Sequence, residues 1–243
     1  MCKKNILIIF ILLSIHLSGY AENIQQNKKI KEKIFYKYCR NELKEKKFYQ
    51  AIQHLESMKK NNINTSYSDK IQINLIYAYY KIENFNMAQK NINQFIQLYP
   101  KHLNIDYVLY IKSLIDIALD KNIFFKTFLI QNYKSDPIYA KRAFFQLKDF
   151  LFRYPKSIYI VNIKKDLFNL KQRLGQYNLQ ILKYYFKNKK YIAVINRGEE
   201  IIKNFPETIS SIKALKYMKL AFIKLKIFDT AQKIDKIIQI NNI

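Results

Sequence analysis

From about residue 31 to the end of the chain, apolar residues return every three or four positions with polar residues between them. That is the period of helices that bury one face. The pattern divides into helices over Lys31–Lys46, Phe48–Lys60, Ser68–Ile82 and Phe85–Leu98. Next come Asn104–Leu119 and Pro137–Arg153, with Asp136 expected as N-cap, Pro137 at the first helical position, and Asp120–Ser135 as an insertion between them. A long helix follows over Ser157–Asn188, then Tyr191–Asn204, Thr208–Leu225 and Ile227–Ile240. In the long helix Ile163, Leu167, Leu170, Leu174, Tyr177, Ile181 and Tyr184 step by four and three, which predicts one continuous apolar stripe. Gly175 lies inside it, at a cost of about 1 kcal/mol relative to Ala.

The helices come in repeating pairs. Four second helices open with an aromatic residue and, three positions on, a small one: Phe48 and Ala51, Phe85 and Ala88, Tyr191 and Val194, Phe228 and Ala231. Pro100, Pro155 and Pro206 each stand 12 residues beyond Ala88, Ala143 and Val194. A small residue lets paired helices cross closely, and a proline ends the second helix. This is the back half of a tetratricopeptide unit. The fullest unit, Asp69 to Pro100, has Leu75, Tyr79, Ala88 and Pro100 at consensus positions, with Gln72 and Ile76 where Trp and Gly are usual. The expected fold is all-α: a right-handed tetratricopeptide-like solenoid of about five helix pairs over residues 22–243. Such an array binds partners on its concave face rather than enclosing a chemical pocket.

Composition agrees. Three Gly and four Pro cannot supply the turns of an all-β fold. Neither a Gly-rich phosphate loop, a paired-Cys motif nor a two-His motif is present. His16, His54 and His102 are isolated in sequence. Glu199 and Glu200 are adjacent, so on a helix they point about 100° apart and suit a solvated face better than acid–base chemistry. No enzyme, cofactor or metal is expected. Cys39 is the one cysteine beyond the leader, so no intramolecular disulfide follows, and a core role suits it.

The net charge is +25, and loss of Lys3 and Lys4 with residues 1–21 leaves +23. A polyanion partner, nucleic acid or an anionic surface, is one reading. The lysines are scattered, however, and the chain is crowded with Lys, Asn, Ile, Tyr and Phe, all read from A/T-rich codons. Compositional bias therefore accounts for the charge better. Only Arg40, Arg142, Arg153, Arg173 and Arg197 break the use of Lys. Where Lys is the default, an Arg marks a place that needs a planar fork.

Residues 1–21 read as a secretory signal: two Lys, then eight unbroken apolar residues from Ile6 to Leu13. Leu17-Ser18-Gly19-Tyr20 has the form of a lipoprotein cleavage site with Tyr20 in place of the acylated Cys. Gly19 and Ala21 still permit ordinary cleavage before Glu22, and an uncleaved apolar segment is the rival.

"QINLIYAYYK" (Gln72–Lys81), "HLNIDYVLYIKSL" (His102–Leu114), "DPIYAKRAF" (Asp136–Phe144), "LKQRLGQYN" (Leu170–Asn178) and "YIAVINRGEEIIKNFPET" (Tyr191–Thr208) resemble, in order, the BamD (ComL) family of the outer-membrane β-barrel assembly machinery. The resemblance implies a non-enzymatic periplasmic scaffold at the outer membrane. Residues 157–243 would dock on the periplasmic POTRA region of BamA through Arg197 and Glu199. Residues 22–156 would receive unfolded outer-membrane proteins in a groove including Tyr67, Tyr77, Tyr80, Asn104 and Asp106. Other lipoproteins of the complex are further expected partners. Two departures stand out: Tyr20 removes the lipid anchor, and Asn61–Thr65 replaces a Pro/Gly turn. The alternatives are a basic helical-repeat protein on nucleic acid or an anionic surface, which export disfavours for nucleic acid, and a generic periplasmic tetratricopeptide adaptor.

Overall fold

The computed structural model describes residues 26–27, 29–61, 67–129 and 136–240. The signal, Tyr20 and residues 62–65 of the altered turn lie outside the described residues. The described chain is helical and forms two compact units, residues 1–100 and 101–243. The functional halves expected from the resemblance divide elsewhere, at 156/157.

The first unit holds α1 (residues 29–44), α2 (Phe48–Asn61), α3 (Ser68–Lys81) and α4 (Phe85–Leu98). Each helix packs on the next. The crossing residues Ala51 and Ala88 are fully buried, as their small size predicts. Around them Leu55, Ile71, Leu75, Ile92 and Phe95 are buried, each stabilising by roughly 1.5–3 kcal/mol relative to exposure. Gln72, at the usual Trp position, is buried and donates from Nε2 to the Asn91 carbonyl at 3.0 Å. A polar replacement thus keeps a partner.

The second unit holds α5 (Ile105–Leu129), α6 (Ile138–Arg153), α7 (Ile160–Lys187), α8 (Tyr191–Asn204), α9 (Ile209–Lys224) and α10 (Phe228–Ile240). Three expectations are corrected here. First, α5 runs to Leu129, well into the predicted insertion. Asp120, taken as the insertion's first residue, is instead a buried helical residue that accepts from Arg173 Nε at 3.2 Å. Second, α6 begins at Ile138, with Pro137 in the cap position and no side-chain cap. The Asp136 carboxylate turns to Lys141 Nζ at 2.9 Å instead. Third, the α7 stripe is not continuous. Ile163, Leu170 and Leu174 bury against α5 and α6, but beyond them the buried residues are Gly175, Leu179 and Leu182, while Tyr184 is exposed. The two halves of α7 serve different clusters, and the second faces α8 and α9. At Gly175 the start of α9 comes close: an added Cβ would lie 3.2 Å from Ser210 Cβ and 3.3 Å from Thr208 Oγ1.

Four turns inside helix pairs share one device. Lys46, Glu83, Lys189 and Lys226 have φ between 57° and 62°. Each donates its N–H three residues back, and the next residue donates five back, as in Asn84 N–H to the Tyr79 carbonyl at 3.0 Å. These are Schellman ends with Lys or Glu in the left-handed position that Gly usually takes. The aromatic opening of the next helix follows two residues later. The three proline ends are equally alike: Tyr99, Tyr154 and Phe205 cap α4, α6 and α8 with φ near −130° and ψ of 49–58°.

Candidate functional site

On α8, Val194, Gly198 and Ile201 are buried and fix the helix against α7 and α9. Gly198 is required by closeness: a Cβ there would stand 2.4 Å from Met218 Cγ and Sδ. Arg197 therefore sits at the edge of the packed face, half-buried. Its Nη1 donates to Glu200 Oε2 at 2.7 Å and to Asn178 Oδ1 at 3.5 Å, and Asn178 Nδ2 is itself tied to the Leu174 carbonyl at 2.9 Å. The guanidinium is thus oriented from both α7 and α8. Glu199 is exposed beside it.

The groove residues fall in both units. Tyr67 precedes α3, its ring 4.9 Å from that of Tyr36, with Lys70 Nζ 5.3 Å from its centroid. Tyr77 and Tyr80 are half-buried. Tyr77 meets Phe48 edge-on at 5.9 Å, and Tyr80 lies 6.3 Å from Phe85. Each ring therefore rests on the aromatic residue that opens a second helix. Tyr79 is buried, as its consensus position predicts, and donates to Glu56 Oε1 at 3.0 Å. Asn104 is exposed at the start of α5, its N–H donating to His102 Nδ1 at 3.0 Å. Asp106 is half-buried and accepts from Ser157 Oγ at 2.7 Å, tying α5 to the α6–α7 turn. The side chains of Tyr67, Tyr77 and Tyr80 belong to the first unit, and those of Asn104 and Asp106 to the second.

Partners that sequence reading missed lie inside. Arg142 grips the buried Asp116 with Nε and Nη2, the Nε bond being 2.7 Å. That hydrogen bond pushes the Arg142 pKa further up. His54, isolated in sequence, packs between Phe35 and Tyr38 and meets the buried Glu42 at 2.9 Å. The scarcity of Arg was a usable signal, because Arg142, Arg153, Arg173 and Arg197 all engage carboxylates. Asp149 and Glu200 lie within helical reach of Arg153 and Arg197, but nothing in the sequence named Asp116 or Asp120. Among the described residues, no cluster of three or more His, Cys, Asp or Glu is placed to hold a metal ion, and no helix is long and apolar enough to cross a membrane.

The second unit also carries an open groove of about 820 Å³ between α6, α7 and the α8–α9 turn. Phe144, Phe145, Phe168 and Phe205 line it together with Lys141, Lys148, Lys164, Lys171 and Lys203.

The YfiO family model, described as outer membrane lipoprotein, matches residues 28–237. The outer membrane protein assembly factor BamD of Buchnera aphidicola is 51% identical over 242 residues, covering 99% of this chain and 98% of that protein. BamD of Vibrio cholerae is 34% identical over 191 residues, 79% of each chain. BamD of Pasteurella multocida is 30% identical over 210 residues, 86% of this chain and 81% of that one.

Proposed function

The chain belongs to the BamD (YfiO) family of outer-membrane assembly factors, and from that premise we propose that it is a non-enzymatic scaffold at the periplasmic face of the outer membrane. It docks on the POTRA region of BamA through the α8 surface at Arg197 and Glu199. It receives unfolded β-barrel proteins through Tyr67, Tyr77 and Tyr80 of the first unit and through Asn104 and Asp106 of the second, and works beside other lipoproteins of the complex. Tyr20 cannot be acylated, so attachment to the membrane runs through protein contact.

One observation carries the docking assignment. Arg197 is an oriented, half-exposed fork in a chain that otherwise uses Lys, held by Glu200 and Asn178 with donors to spare. Pull-down on the BamA periplasmic region tests it. Arg197→Ala is expected to weaken binding by about 2–5 kcal/mol, the range for truncating a hydrogen-bonded interfacial charge, with Arg197→Lys recovering little. Undiminished binding by Arg197→Ala would remove Arg197 from the interface. For the client surface, Tyr77→Ala with Tyr80→Ala is expected to lower crosslinking to a peptide ending in an aromatic residue, with docking on BamA unchanged.

A further inference from the structure

We propose that the groove between α6, α7 and the α8–α9 turn is a second peptide-docking site, one that takes an extended acidic segment of a partner protein bearing apolar side chains. The groove adjoins the Arg197 surface, because Asn178, one of its lining residues, accepts from Arg197 Nη1 at 3.5 Å.

Its lining joins two chemistries. Phe145 and Phe168 are 67% and 56% exposed, on facing helices. Exposing two phenyl rings in one trough gives no folding benefit, and such patches mark interaction surfaces. Around them stand five lysines against a single lining carboxylate, Glu207. Lys141 is paired with Asp136, and Lys171 lies 3.9 Å from Glu207. Among the described residues no carboxylate pairs Lys148, Lys164 or Lys203, and all three are exposed. Lys148 Nζ sits 5.7 Å from the Phe144 ring centroid, so a cation is poised at the edge of the apolar floor. The volume falls in the range of sites that enclose a ligand.

Charge and shape select the occupant. The residues outside the description carry one acidic side chain, Glu22, so no such segment of this chain complements the groove. A second copy brings the same net charge of +25 and is repelled. An anionic bilayer is flat and needs basic and apolar groups on a protruding face, whereas these residues line a trough. An extended strand fits, because its side chains alternate every residue. Carboxylates can then meet the lysine rim while apolar side chains reach the phenylalanine floor.

The test is fluorescence anisotropy of the full chain with a labelled peptide of about seven residues that alternates Glu or Asp with Phe or Leu. Lys148→Glu with Lys203→Glu is expected to weaken binding by about tenfold or more, and Phe145→Ala with Phe168→Ala by a similar factor. Lys33→Glu with Lys37→Glu removes the same charge from α1 and is expected to leave binding within about twofold, since its effect is only long-range and screened. All six positions are exposed, and far-UV circular dichroism checks that each variant keeps its helices. The proposal is overturned if the Gln and Asn version of the peptide binds equally. It is also overturned if the α1 pair has the same effect as the groove pair. Preference for vesicles containing phosphatidylglycerol, unaffected by loss of the two Phe, would assign the surface to lipid and likewise sink the peptide reading.

Discussion

Single residues carry consequences that burial and closeness decide. Cys39 is fully buried, and burial pushes its thiol from 9.0 up to about 11. It is therefore expected to resist a thiol reagent in the native protein at pH 8 and to react fully in urea. Burial, then the hydrogen bond to Glu56, raises Tyr79 from 10.0 to about 12. Both groups stay neutral in the folded state at pH values where the unfolded chain ionises. Their contribution to stability is whole below about pH 9 and is lost as pH climbs through about 11 and 12. Urea midpoints should be level from pH 7 to 9 on this account and fall above it. At Gly198 the helix-propensity gain of Ala, about 1 kcal/mol, is outweighed by the collision with Met218. Gly198→Ala is expected to destabilise by about 1–2 kcal/mol net, measured by urea denaturation, because the clashing atoms are mid-chain rather than a free tip.

At the scale of elements, the helix ends are better optimised in hydrogen bonding than in residue type. Glu83 and Lys189 hold left-handed conformations at φ of 57° and 58°. Glu83→Gly and Lys189→Gly are each expected to stabilise by roughly 0.5–1 kcal/mol, while the matching Ala variants gain nothing, since Ala carries the same Cβ penalty. The packing of α5 against its neighbours depends on two carboxylates one turn apart, Asp116 and Asp120, reaching Arg142 of α6 and Arg173 of α7. Arg142→Ala leaves Asp116 buried and unpaired. The expected loss is about 2–3 kcal/mol, below the usual cost of breaking a buried pair because Arg142 is half-exposed, read as a drop in the denaturation midpoint.

For the whole molecule, the question raised by Tyr20 is how a member of a lipoprotein family stays at its membrane. Mass spectrometry of the mature chain from membrane fractions is expected to show Glu22 as the first residue and no acyl group. Retention of Met1 would instead assign anchoring to the apolar leader. If the proposed docking on BamA holds the protein at the membrane, salt alone should release little of it and Arg197→Ala should release more, because an oriented, partly desolvated Arg is screened less than surface lysines.

The helix pairs were legible in the sequence because each rests on short-range rules. A small residue 12 positions before a proline, and an aromatic two positions after a tight turn, are local and repeat. Ala88, Ala143 and Val194 are buried as those rules require. The family was legible for the same reason, as ordered motifs. The candidate docking residue was half-legible: rarity marked Arg197, but not Glu200 and Asn178, which orient it. Where the apolar pattern is generous, the sequence could not decide. The α7 stripe reads as continuous, yet its buried face turns at Gly175, because α9 approaches there and the neighbours change. Asp116 behind Arg142, Asp120 behind Arg173, the His54–Glu42 pair and the lysine-rimmed groove exist only once separate helices are packed. Period and propensity act over a few residues, whereas a partner's identity is set by which faces the fold brings together.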